Sequence, residues 1–204
     1  MQWRQLSRRS SFVAGVVTRR DALVGLAGSA WLALPVWAAD DTGSSVAALL
    51  RAGGCVAVLR HAATVPGVGD PPEFKLDDCR TQRNLSDAGP QDARRLGAWF
   101  HNSKLSQPRA VLTSAWCRCK DTADLAFGKH TVWPALNSTF SDRALQPEQS
   151  QLLRQAMAQI PARQFEVWVT HQVNISALTG EGPAMGEAFV LDRKGKVLFV
   201  PMAR

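Results

Sequence analysis

The feature that most constrains the fold is the stretch from Arg51 to Thr64, Arg-Ala-Gly-Gly-Cys-Val-Ala-Val-Leu-Arg-His-Ala-Ala-Thr. Two glycines break the chain at Gly53-Gly54, an apolar run extends from Cys55 to Leu59, and it stops on Arg60-His61. A short apolar run bounded by turn residues suits a central strand covered on both faces, as in a parallel sheet flanked by helices. Open α/β sheets carry their chemistry just beyond the carboxyl ends of such strands. A guanidinium and an imidazole delivered to that position form the first candidate site.

The pattern recurs along the chain. Residues 46–51 read as a short helix capped by Gly53, and residues 66–83, rich in Pro, Gly and Asp, read as a long loop beside the proposed site. Asn84-Leu85-Ser86-Asp87-Ala88-Gly89 opens a helix with Ser86 as its cap, and Ala93, Leu96, Gly97 and Phe100 supply its small or apolar face. A second strand is expected over 110–114, followed by Ala115-Trp116-Cys117-Arg118-Cys119, a helix over 121–127 and an irregular segment over 128–141. A helix over 149–160 is closed by Pro161, a third strand over 165–170 ends on His171, and a small helix covers 175–178. Strands over 187–192 and 196–202 join through Arg193-Lys194-Gly195 as a hairpin. The alternation predicts an α/β protein: a three-layer α/β/α sandwich whose central sheet is mostly parallel with an antiparallel edge hairpin.

Charge is unevenly spread. The chain is 204 residues long, with 24 Lys and Arg against 17 Asp and Glu, but Arg4, Arg8, Arg9, Arg19 and Arg20 face only Asp21 within residues 1–39. The remainder holds 19 basic and 16 acidic residues, so the high overall pI gives no support to a nucleic-acid partner. A basic start, an apolar core from Ala22 to Trp37 and small residues at Ala38-Ala39 form the pattern of an export signal, and Thr18-Arg19-Arg20-Asp21-Ala22-Leu23-Val24 resembles the twin-arginine type. Residues 1–39 are therefore expected to be a twin-arginine-like signal peptide and 40–204 a single domain, periplasmic or secreted. No stable membrane span is expected after cleavage; an uncleaved anchor is the alternative.

Three strand ends thus carry Arg60-His61, Arg118 and His171. Arginine presents a planar fork of donors and stays charged, so two of them with two imidazoles make a receptor for a phosphoryl dianion. A histidine among such cations is kept neutral, leaving a nitrogen lone pair for attack on phosphorus.

Leu59-Arg60-His61-Ala62, the Leu85-Ser86-x-x-Gly89 helix opening, Ser114-x-x-x-Arg118-Cys119-x-x-Thr122-Ala123 and Thr170-His171 resemble the histidine phosphatase superfamily, the phosphoglycerate-mutase-like fold, in order and spacing. The third residue of the family's Arg-His-Gly signature is Ala62 here. The resemblance implies a phosphohydrolase acting on a small phosphorylated substrate, in which His61 attacks phosphorus while Arg60, Arg118 and His171 hold the phosphoryl oxygens, with Thr64 adding a hydrogen bond. It implies no cofactor and no metal. Hydrolase is favoured over mutase, and the export reading links the chain to members acting on phosphorylated envelope sugars, for which Trp99, Trp116, Trp133 and Trp168 are the aromatic candidates.

The proton donor departs from the family pattern. The segment 133–140 lacks a carboxylate, and Gln172 stands where one branch has Asp after the second histidine. Glu187 is the preferred substitute, ahead of Asp70, Glu73 and Asp142. An exported binder of phosphorylated ligands, or a degenerate phosphatase without turnover, is the alternative function. Cys79 is expected to bridge to Cys117 or Cys119 and pin the long loop over the pocket, with Cys55 buried and free.

Overall fold

The computed structural model describes residues 41–199, so the leader expected over 1–39 lies outside the described residues. The chain runs α1 (Asp41–Ala52), β1 (Cys55–Arg60), α2 (Gly89–Asn102), β2 (Ala110–Thr113), α3 (Cys117–Phe127), β3 (Thr131–Val132), α4 (Gln146–Ala158), β4 (Phe165–Thr170), α5 (Gln172–Thr179), β5 (Ala188–Asp192) and β6 (Val197–Phe199). Short 3-10 turns at Cys79–Thr81, Pro134–Leu136 and Arg143–Leu145 interrupt the loops.

These strands form one six-stranded sheet in the order β3-β2-β4-β1-β5-β6. β1 pairs in parallel with β4, β4 with β2, and β2 with β3, whereas β5 runs antiparallel to both β1 and β6. β1 and β4 occupy the centre, and every residue of β4 is buried. On one face Cys55, Ala57 and Leu59 of β1 pack with Val46 and Leu50 of α1, Phe100 of α2 and Ala123 of α3. On the other, Val56 and Val58 pack with Leu153 and Met157 of α4 and Ile175 and Leu178 of α5. The alternation of one strand between two apolar layers makes the three-layer sandwich.

Three glycines are required by close approach. Gly53, at φ +71°, lies where a Cβ would come within 2.4 Å of the Arg163 backbone, so the turn into β1 admits no side chain. Gly97 lets α2 meet α3, since a Cβ there would stand 2.2 Å from the Ala126 carbonyl oxygen.

Several local expectations are corrected. Ser86 is not the cap of α2: the helix begins at Gly89, and the Ser86 hydroxyl donates to the Ala63 carbonyl at 3.2 Å. Gly89 is held there because a Cβ would lie 2.4 Å from that same carbonyl. α3 starts at Cys117 rather than 121, which puts Arg118 in its first turn instead of on a strand end. α4 starts at Gln146, with Pro147 in its first turn, and α5 starts directly after His171. β3 lies within the segment expected to be irregular; it is two exposed residues long, too short to leave a periodic signal.

Candidate active site

The parallel strands β1, β2 and β4 end on one edge of the sheet, and side chains from each end gather in a cavity of about 460 Å³. Arg60, His61, Arg118 and His171 all line it. The two imidazoles face each other edge to face with ring centroids 5.6 Å apart, and His61 and His171 are 2% and 4% exposed. Residues about 110 positions apart in sequence thus share the floor of one pocket because β1 and β4 are register neighbours, Arg60 opposite Thr170.

The hydrogen bonds assign the His61 tautomer. Its Nδ1 lies 2.9 Å from the Ala62 carbonyl, which can only accept, so Nδ1 carries the proton and Nε2 keeps its lone pair. Burial, with the charges of Arg118, Arg60 and Arg83 adding to it, lowers the pKa of His61 to about 3, although the bond to Ala62 works the other way. The ring is therefore neutral at physiological pH. The Ala62 N–H donates to Thr122 Oγ1 at 2.9 Å, and that hydroxyl donates to the Arg118 carbonyl at 2.6 Å, which joins the end of β1 to the first turn of α3.

His171 is fixed by a longer chain. Its Nε2 lies 2.8 Å from Ser114 Oγ, which donates to Asn137 Oδ1 at 3.3 Å and also accepts the Trp116 N–H. With its own proton turned to Asn137, the Ser114 oxygen accepts from His171 Nε2–H, which leaves Nδ1 to face the Arg118 Nη2 donor at 3.5 Å. Burial and then the Arg118 charge hold His171 well below its ordinary pKa. Asn174 anchors the same network by donating to the carbonyls of Leu136 and Asn137 and to Thr170 Oγ1. Cys119 Sγ sits 3.6 Å from His171 Nε2, and burial pushes its thiol up to about 12, so it is a neutral neighbour and not a nucleophile.

A third guanidinium, Arg83, lines the cavity together with Arg60 and Arg118. The sequence offered a signal for it, a cation directly before the Asn84-Leu85-Ser86 helix opening at the end of the long loop. Burial, with the charge of Arg118 next, lowers the pKa of Arg83, and the same causes act on Arg60, reinforced there by Arg83 itself. The Nε atoms of Arg60, Arg83 and Arg118 are buried and have no hydrogen-bond partner, so the cluster is short of acceptors.

One carboxylate lines the cavity among the described residues, and it is Asp70. Its two oxygens grip the Arg118 fork at 2.8 and 3.0 Å, and they also accept the Arg83 N–H at 3.0 Å and the Trp116 indole N–H at 3.1 Å. Burial works to raise the Asp70 pKa, but these donors and the Arg118 charge outweigh it and hold the carboxyl below its ordinary range.

The other expected residues lie elsewhere. Glu187 does not line the cavity: its Oε2 accepts the Ala184 N–H at 2.7 Å, and its charge is felt by Arg60. Thr64 is buried outside it, with its hydroxyl 3.3 Å from Met185 Sδ. Glu73 is exposed, and Asp142 accepts the Ala144 N–H at 3.1 Å to cap a 3-10 turn. Of the four candidate tryptophans Trp116 alone lines the cavity; Trp99 packs on Phe100, and Trp133 on Trp168.

Cys79 bridges to Cys117, tying the long loop to the first residue of α3, while Cys55 and Cys119 are free and buried. Cys117 and Cys119 stand two apart on a helical turn and so point roughly 200° from each other, and Cys117 is the one that meets Cys79. The same junction is held by Gln82, whose Oε1 accepts the Cys117 N–H at 2.9 Å.

No protein-family model and no curated protein matches the chain. Solved structures do. A protein named as phosphohistidine phosphatase SixA, from Agrobacterium tumefaciens, is 21% identical over 74% of this chain and 99% of its own, with a TM-score of 0.53. A phosphoglycerate mutase from Thermus thermophilus is 19% identical over the same shares of the two chains, with a TM-score of 0.52. A mycobacterial glucosyl-3-phosphoglycerate phosphatase in complex with VO3 is 16% identical over 68% of this chain and 92% of its own, at 0.50. At such identities the likeness speaks for architecture alone: the chain has a phosphoglycerate-mutase-like fold.

Proposed function

We propose that this protein is a phosphohydrolase of the histidine phosphatase type, working through a phosphohistidine on His61. The observation that carries the reading is the pair of facing neutral imidazoles set among three guanidinium groups. In the first step His61 Nε2 forms a bond to phosphorus as the bond from phosphorus to the leaving oxygen breaks. Arg60, Arg83 and Arg118 match the charge spread over the equatorial oxygens. In the second, water attacks phosphorus, the bond to His61 breaks, and phosphate leaves.

The acid is where this pocket departs from a complete phosphatase. Asp70 is ionised and paired with Arg118, so no lining carboxyl stands ready to protonate a leaving oxygen at neutral pH. Turnover should therefore depend steeply on the stability of the leaving anion, with aryl phosphates cleaved well and alkyl phosphates poorly. The same observation favours the second reading, a phosphate-binding protein without turnover. The two separate on one assay: mature protein hydrolyses a chromogenic aryl phosphate and His61→Ala abolishes it, or wild type binds vanadate tightly and hydrolyses nothing.

Export through a cleaved twin-arginine-like leader is part of this proposal. The Cys79–Cys117 bridge supports it, because such bonds persist in oxidising compartments.

A further inference from the structure

The cavity of about 460 Å³ is larger than a phosphoryl group needs, so the space beyond the histidines belongs to the organic part of the ligand. Among the described residues its charged lining is Arg60, Arg83, Arg118 and Asp70: three guanidinium groups less one carboxylate leave two positive charges, the complement of one phosphomonoester dianion. Nothing in that lining remains to neutralise a second anionic group. The rest of the lining is of another kind. Val68, Pro71, Phe74, Phe140 and Val173 supply apolar surface, and the polar side chains among them, Ser138, Ser141 and Gln172, are uncharged.

Phe140 is the unusual member of this lining. It is 73% exposed, more than any other large apolar side chain described, and it holds a place on the cavity rim instead of turning into the core. Arg143, which is not part of the lining, lies 5.6 Å over its ring. Such a stack orients an aromatic ring without covering it fully. Val68, 50% exposed, belongs to the same lining, and its carbonyl is bound by the Arg83 guanidinium. An exposed aromatic at the mouth of a cationic pocket is costly surface in the free protein and gains a partner when a ligand with an apolar face enters.

We infer that the ligand is a small phosphomonoester carrying a single phosphate and an uncharged organic group with an apolar or aromatic face, seated against Phe140, and that Phe140 sets this specificity. The inference rests on the phosphoryl-site reading above and names its substrate class. A bisphosphate or a nucleoside polyphosphate would bring a second anionic group for which no lining cation among the described residues remains.

Binding of non-hydrolysable phosphonates to the mature protein tests this apart from turnover, at alkaline pH where each phosphonate is a dianion. Benzylphosphonate should bind about tenfold tighter than methylphosphonate. Phe140→Ala should bring that ratio close to one and Phe140→Leu should restore part of it. Equal affinities for the two phosphonates in wild type, an unchanged ratio in Phe140→Ala, or tighter binding of methylenebisphosphonate or of a phosphopeptide would overturn the inference. A protein that binds neither phosphonate nor vanadate fails the phosphoryl-site reading itself. One that binds both phosphonates equally fails only the specificity.

Discussion

Asp70 shows how a single side chain changes the meaning of a site. A carboxylate seated bidentate on Arg118 occupies the same fork that a phosphoryl group would use, so an entering dianion competes with it or sits beside its charge. Either way Asp70→Asn should tighten vanadate inhibition, by about tenfold for an interaction change of roughly 1.4 kcal/mol. Weaker inhibition in that variant would mean that Asp70 serves chiefly to position Arg118. The four side chains that hold the floor, Arg60, His61, Arg118 and His171, were legible because each closes or follows an apolar run. Asp70 was legible only as one of several candidate acids and Arg83 only as a cation before a helix opening; their place in the cavity was not, because both sit in an aperiodic loop whose path is set by tertiary hydrogen bonds. Asn137 was equally hidden, since its role depends on reaching Ser114 from across a turn.

At the scale of elements, the strands of the central sheet were readable from the run of apolar residues, and the helix starts were not. Cys117-Arg118-Cys119 looked like the continuation of a strand because its buried residues lack helical spacing, yet they form the first turn of α3. That turn is joined to the long loop by the Cys79–Cys117 bridge, which closes a segment of 38 residues. Replacing both cysteines by serine should cost about 2–4 kcal/mol of stability, measured by urea unfolding, because the unfolded chain gains the freedom of the opened loop. It should also raise KM, since Arg118 directly follows Cys117. Where α2 crosses α3, Gly97→Ala should destabilise by about 1–3 kcal/mol, because the added methyl meets the Ala126 backbone and one helix must shift. An unchanged unfolding midpoint would show that α2 relaxes freely.

For the whole molecule, two buried neutral imidazoles in a cationic pocket couple the fold to pH. The unfolded chain takes up a proton on His61 near pH 6.5, whereas the folded chain resists it down to about 3. The contribution is therefore fully present above about pH 6.5 and is lost as pH falls through that window, at about 1.4 kcal/mol per pH unit for each histidine so held. His171, lowered in the same direction, adds to the slope, and Asp70, also lowered, extends the loss below its ordinary carboxyl range. Urea midpoints followed from pH 7 to 4.5 should fall steadily, and His61→Asn should flatten the fall; an identical slope in the variant would contradict the buried neutral state. The three-layer order was legible as a whole because strand ends, helices and the terminal hairpin alternate in one consistent topology.

The most direct test is rapid quenching of the mature protein during turnover of an aryl phosphate, followed by peptide mass spectrometry under alkaline conditions. The account predicts an acid-labile phosphoryl group on the peptide carrying His61, absent from His61→Ala. Turnover with no such adduct, or with the phosphoryl group on another residue, would contradict it.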